Sequence, residues 1–137
     1  MKDTGRYIFT DIDGVLNPSW NKQWSKRAVG IYNRVCSDFE LLPVISSTWR
    51  TNHTVVQLQE IFTEQGITAQ IFDYTPVLND YRGIEIDEYL RENSFNKYVV
   101  IDDSCRDIKP YVSNVVEVRG WIGLEEEHYE KIKKLIS

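Results

Sequence analysis

Apolar residues in this chain fall into short, nearly continuous runs separated by longer stretches with helical spacing. The runs at 7–9, 41–45, 67–72, 98–101 and 115–118 have strand length and few polar interruptions, as buried strands require. Between them, Ser25 is placed to cap a helix reaching about Asp38, with Ala28, Tyr32, Val35 and Phe39 on its apolar face. A second helix is predicted over 53–65, with Val55, Leu58, Ile61 and Phe62 inward and Gly66 as its stop. A third covers 82–92, with Ile86 and Leu90 one turn apart. In a terminal helix Leu124, His128, Ile132 and Leu135 share a face. Glu125, Glu126 and Glu127 at its start and Lys131, Lys133 and Lys134 near its end complement the helix dipole. Strands alternating with helices predict an α/β fold with a central, largely parallel sheet. No repeat, low-complexity tract or linker-like stretch divides the chain, so residues 1–137 are expected to form one domain.

Charge and composition narrow the function classes. A net charge of −5 argues against a dedicated duplex-DNA binder, whose affinity rests on neutralising phosphates, while leaving room for a local basic groove. The N-terminus lacks an apolar signal region and no apolar run approaches membrane-spanning length, so no membrane role is expected. Cys36 and Cys105 are too few for a disulfide framework, which makes the cytoplasm the expected compartment. Nothing in the sequence implies an obligate protein partner.

The informative polar residues stand at the ends of the apolar runs. Residues 7–17, Y-I-F-T-D-I-D-G-V-L-N, deliver Asp11 and Asp13 where Gly14 lets the backbone turn. Paired acids at a strand end repel unless a metal or proton compensates, although an Asp-Gly turn is also an ordinary strand cap. The second run ends in Ser46, Ser47 and Thr48, three hydroxyls able to hold a phosphate or to cap a helix. The fourth ends in Asp102 and Asp103, with Asp107 a turn later. Ligands of parallel α/β sheets bind outside the carboxyl ends of the strands, where all three clusters fall. Carboxylates and hydroxyls without a Cys/His cluster suit a hard, oxygen-preferring ion such as Mg²⁺. In such a site one Asp can attack phosphorus, a second can move the proton, and a hydroxyl and cation can hold the remaining oxygens.

The set D-I-D-G-V-L, I-S-S-T-W-R and V-V-I-D-D resembles the motif signature of the haloacid dehalogenase (HAD) superfamily, in order and over nearly the whole chain. That resemblance implies a three-layer Rossmann-like domain with a five-stranded sheet in the order 5-4-1-2-3. It implies a phosphatase with Asp11 as nucleophile, Asp13 as general acid/base, and Ser46 or Ser47 as the phosphate-binding hydroxyl. Asp103, with Asp102 in support, would complete a Mg²⁺ site beside Asp11 and the backbone carbonyl of Asp13. The basic residue that neutralises the phosphoryl group is Arg82, in R-G-I-E-I, or Lys97 before the fourth strand. A receiver domain also joins Asp to a cation, but it needs its acidic pair early and its acceptor Asp mid-chain. The chain has no room for the large cap of many relatives, and S-S-T-W-R with R-G-I-E-I resembles the small HAD domains of RNA-repair proteins and, more distantly, polynucleotide phosphatases.

Such capless relatives act on large substrates that themselves close the site. The expected substrate is therefore a nucleotide or a nucleic-acid 3′-phosphate. Thr48, Arg50, Trp20 and Lys97 are its expected further contacts. Trp20, Trp24 and Trp49 offer flat rings on which a base stacks for roughly 1–3 kcal/mol, unless they fold back onto the core. Lys22, Lys26, Arg27 and Arg50 would follow an adjoining backbone. The alternatives are a non-catalytic phosphate- or metal-binding module and a phosphatase for small metabolites or phosphoproteins.

Overall fold

The structure is a computed structural model that describes residues 2–18 and 23–137. Trp20 and Lys22 lie outside the described residues. Five parallel strands form the sheet: β1 (Arg6–Thr10), β2 (Leu42–Ile45), β3 (Asp73–Tyr74), β4 (Lys97–Asp102) and β5 (Val115–Glu117). Their spatial order is β3-β2-β1-β4-β5, the expected 5-4-1-2-3 viewed from the other edge. Among the described residues, four α-helices connect or follow them: α1 (Lys26–Asp38), α2 (Val55–Glu64), α3 (Arg82–Glu92) and α4 (Glu126–Ile136). Among the described residues, only α2, β3 and α3 stand between β2 and β4 apart from one 3₁₀ turn, Thr48–Thr51, so no cap is inserted there.

Because side chains alternate along a strand, each strand feeds two cores. Ile8, Ile45, Val99 and Ile101 face α1, α2 and α4 through Tyr32, Val35, Phe62 and Ile132. Tyr7, Phe9, Val44 and Val100 face α3 through Ile86, Tyr89 and Leu90. The result is three layers, with β1 buried between them from Tyr7 to Thr10.

Helix ends follow the sequence signals closely. Ser25 Oγ accepts the Ala28 N–H at the start of α1, and Thr54 and Gln57 form a reciprocal capping box on α2. Three predictions need correction. Val55, expected inward on the second helix, opens α2 at 38% exposure, and Leu58 and Phe62 are the residues buried there. The third strand is not 67–72 but the two residues Asp73–Tyr74; Ile67 and Ile71 pack into the core from a loop, and Phe72, whose N–H donates to the Pro43 carbonyl, stacks on Tyr7 in the other core. In α4, Ile136 and not Leu135 completes the buried row with His128 and Ile132, as a strict i, i+4 progression demands.

Gly83 sets how closely α3 approaches the segment after β4. Its N–H donates to the Asp107 carbonyl at 3.1 Å. A Cβ there would lie 2.7 Å from that oxygen and 2.8 Å from Ile108 Cα, both backbone atoms that cannot swing aside. Gly83→Ala is therefore expected to lower stability by about 1–3 kcal/mol in urea denaturation, although alanine is the better helix former.

Candidate active site

The site grows from strand register. Thr10 pairs with Ile45 on one side and Ile101 on the other, and the ladder continues one step further through Ser46 N–H to Thr10 O (3.1 Å) and Asp11 N–H to Ile101 O (3.2 Å). Asp11, Ser46 and Asp102 thus stand side by side at the carboxyl ends of β1, β2 and β4. By alternation they lie on the face covered by α3. Arg82, the first residue of α3, reaches them: its Nη1 lies 2.7 Å from Asp102 Oδ2 and 3.3 Å from Asp11 Oδ1. Asp102 Oδ1 also accepts the Ser104 N–H at 2.9 Å.

Asp103 adds a third carboxylate. Asp11, Asp102 and Asp103 each present an oxygen within 4.8 Å of the others. Two glycines make room for Asp103: a Cβ on Gly14, whose φ is +83°, would collide with its carboxylate, and one on Gly120 would lie 2.7 Å from Oδ2. Gly14 is thus required both by its left-handed backbone and by the close approach.

Burial and the Asp102 charge push the Asp11 carboxyl up from its ordinary value to about 9; Arg82 opposes this, and Asp103 adds to it. Asp102 is likewise raised, by burial first, with Arg82 and the Ser104 N–H opposing. Burial works against the charge of Arg82, but Asp102 and Asp11 outweigh it and raise its pKa further. Among the described residues, one guanidinium faces these three crowded acids and leaves the cluster short of positive charge. An all-oxygen donor set with a surplus of negative charge fits a hard divalent cation such as Mg²⁺.

The remaining predicted residues are placed as follows. Ser46 is fully buried, and among the described residues its Oγ is the buried side-chain polar atom without a hydrogen-bond partner. Ser47 Oγ is engaged as the cap of the 3₁₀ turn, accepting the Trp49 N–H at 3.1 Å. Thr48 is exposed and lines a cleft beside the acids. The Asp13 side chain stands apart from the three-acid cluster, with Trp49 and Asn17 donating to it.

One expected contact lies away from the site, and another borders the cleft with its guanidinium already engaged. Lys97 opens β4, about 16 Å along the strand from Asp102 at ~3.3 Å per residue, with its Nζ 3.5 Å from the Ser137 carbonyl. Arg50 is turned inward, only 7% exposed, with its guanidinium 2.7 Å from Glu85. Trp24 and Trp49 are half-buried and meet edge to face at 5.9 Å, with Trp24 also against Phe62, so neither offers a free ring face as wide as expected.

Sequence reading missed the Asn17 and Trp49 donors and the Arg50–Glu85 pair. The signals were present: an indole carries a polar handle, and an acid on the inward side of α3 needs a partner.

The cleft measures about 290 Å³ and is lined by Thr48, Asp80, Tyr81, Arg82, Ser104 and Asp107 together with the Arg50–Glu85 pair. Tyr81 is 54% exposed at its wall and leans against the exposed Tyr111, ring centroids 6.1 Å apart. No helix among the described residues is long and apolar enough to cross a membrane.

No curated protein and no solved structure matches the chain. Residues 7–129 match the family described as the HAD domain in Swiss Army Knife RNA repair proteins, a span that includes every strand-end acid described above, and the chain belongs to that family.

Proposed function

We propose that this chain is a Mg²⁺-dependent phosphomonoesterase that works through a phospho-Asp11 intermediate on nucleotide or RNA 3′-phosphate ends, with residues 1–137 acting as one domain. The observation that carries the reading is Asp11 itself: a buried carboxylate at the central strand end, pressed between two further acids and 3.3 Å from a guanidinium. Asp11, Asp103 and the backbone carbonyl of Asp13 would hold the ion, with Asp102 in support. When bound, it would supply charge stabilisation for the transferring phosphoryl group.

The chain's own residues account for the rest. Asp11 Oδ attacks phosphorus while the Asp13 carboxyl gives its proton to the departing ester oxygen. Asp13 then takes a proton from the water that releases phosphate and restores Asp11. Arg82 neutralises phosphoryl charge from the α3 side. The unpartnered Ser46 Oγ favours Ser46 over Ser47 as the hydroxyl donor, since Ser47 is already spent on its turn. Arg82 is preferred to Lys97 as the basic residue on placement alone.

The substrate class draws on the RNA-repair family, the absence of a cap between β2 and β4 among the described residues, and the open cleft beside Arg82. Tyr81 replaces the half-buried tryptophans as the stacking surface, worth roughly 1–3 kcal/mol for a base. Exposed Lys26 and Arg27 remain available to a nucleic-acid backbone, whereas Arg50 does not. Both cysteines are free and buried, as suits a reducing cytoplasm.

The test is kcat/KM for a 3′-phosphorylated RNA oligonucleotide, a mononucleotide and a hexose phosphate, at two salt concentrations and with or without EDTA. The RNA end is expected to be preferred, less so at high salt, and EDTA should abolish turnover. A salt-insensitive preference for hexose phosphate would overturn the RNA assignment. Normal Mg²⁺ binding without hydrolysis of any ester would overturn the enzymatic one.

A further inference from the structure

The Asp13 carboxylate is held on both sides. Trp49 Nε1–H donates to Oδ2 at 3.1 Å, and Asn17 Nδ2 donates to Oδ1 at 3.2 Å. An aspartate's terminal torsion is broad and roughly two-fold, so an ungripped carboxyl would rotate through many orientations. One donor on each oxygen fixes its plane.

Both donors are themselves locked. The indole stacks on His53 at 5.4 Å and 20°, meets Trp24 edge to face, and belongs to the turn capped by Ser47. His53 Nδ1 donates to the Trp49 carbonyl at 2.9 Å, tying ring and backbone together. The amide orientation of Asn17 follows from its other contact. Its Oδ1 accepts the Gly14 N–H at 3.0 Å, which leaves Nδ2 facing Asp13.

We propose that Trp49 is the positioning residue for the proton-transfer carboxyl of Asp13, with Asn17 as its counterpart. This rests on the phosphatase reading above. In the first step the Asp11 Oδ–P bond forms as the P–O ester bond breaks. The electron pair stays on the departing oxygen, which receives the Asp13 proton. In the second, water's oxygen bonds phosphorus, its proton returns to Asp13, and the P–O bond to Asp11 breaks. Both transfers need the carboxyl aimed at one point, and Trp49 couples that aim to the turn that directly follows Ser46 and Ser47.

Trp49→Phe removes the N–H and keeps an aromatic ring for His53. With Mg²⁺, kcat/KM for phenyl phosphate is expected to fall about tenfold, a fraction of the roughly 10²–10⁴-fold that general acid–base catalysis supplies, because the carboxyl is kept and only its aim is loosened. For p-nitrophenyl phosphate, whose leaving group needs little protonation, the fall should be at most about twofold. Equal losses on both esters would mark a purely structural role and overturn the proposal.

Asn17→Asp gives a second route. It preserves the acceptor for Gly14 N–H but sets a carboxylate against Asp13, and it should produce the same skew between the two esters.

An activity-independent reading comes from the indole N–H resonances of the folded protein. The Trp49 signal should be protected from solvent exchange in the wild type and lose that protection in Asp13→Ala. An equally rapid exchange in both would overturn the contact, whether or not any ester is hydrolysed. A protected indole in a protein that cleaves no ester would instead retain the contact and overturn the enzymatic reading beneath it.

Discussion

In metal-free buffer, Asp11→Asn is expected to melt above the wild type even as it loses turnover by at least about 10³-fold. The activity loss follows from removing the nucleophile: an amide neither attacks phosphorus as a carboxylate does nor forms the acyl phosphate. The stability gain follows from the electrostatics. Asp11, Asp102 and Asp103 are crowded within 4.8 Å, with Arg82 as the cation placed against them. Burial and Asp102 hold the folded-state pKa of Asp11 near 9, against 3.8 ordinarily.

A carboxyl raised in the folded state binds its proton more tightly there than in the unfolded chain. Its contribution to stability is complete below the unfolded value and is lost as pH rises through the folded one. Metal-free wild type should therefore lose stability between about pH 4 and about pH 9. The amide introduced by Asp11→Asn has no proton to lose, so the variant should show a shallower decline, with Asp102 contributing what remains. Each kcal/mol of difference reads as about 4 °C in a domain of this size. Adding Mg²⁺ should reverse the ranking by stabilising the wild type more than the variant. Thermal melts in EDTA across that range decide the matter: a variant less stable than wild type throughout would mean that Asp11 is not strained by its neighbours. Stability traded for function in this way is common where like charges are gathered for chemistry.

The parts of this arrangement that were legible from sequence are those dictated by local rules. Strand runs, the Ser25 cap and the clustering of Asp11, Ser46 and Asp102 on one rim all follow from periodicity and from parallel α/β topology. What was not legible depended on direction in three dimensions. Arg50 and Arg82 both looked like rim cations. They differ because Arg50 sits in a turn whose carbonyls converge on its guanidinium, whereas Arg82 begins a helix whose first residue overlies the β1 and β4 ends. Lys97 adjoins β4, but at its amino end, and sequence proximity to a strand does not say which end of the sheet a side chain serves. The β3 error has a related cause. Ile67 and Ile71 are apolar because they cover α1 and α2 from a loop, and an apolar run buried that way cannot be told from a strand by periodicity.

Arg50 gives the largest expected loss of stability. All five of its N–H donors are used: Nε to Thr75 O (3.1 Å), Nη1 to Ser46 O (3.0 Å) and Ser47 O (2.9 Å), and Nη2 to Pro76 O (3.1 Å) and Glu85 Oε1 (2.7 Å). Glu85 Oε2 in turn accepts the Leu78 N–H at 2.8 Å. One buried side chain therefore ties the end of β2 to the segment after β3 and to α3. Arg50→Met leaves a buried carboxylate and four carbonyls without this donor, at an expected cost of about 3–5 kcal/mol. That is a large share of the roughly 5–15 kcal/mol that holds a domain together. Lysine should rescue little, since its three donors radiate from one point and cannot reach five acceptors arranged around a planar fork. Arg50→Met with Glu85→Met should cost less than the sum of the single changes, because the second removes the charge that the first strands. It should remain below wild type, because the carbonyls of Ser46, Thr75 and Pro76 still lack the guanidinium, whereas Ser47 O keeps the residue-50 backbone N–H. Urea denaturation of the four proteins closes this cycle. An Arg50→Met variant within about 1 kcal/mol of wild type would show that water satisfies those carbonyls and that the pair is dispensable. The same variant, assayed where it remains folded, should also lose turnover, because the carbonyls released are those of the residues that lead from β2 into the site.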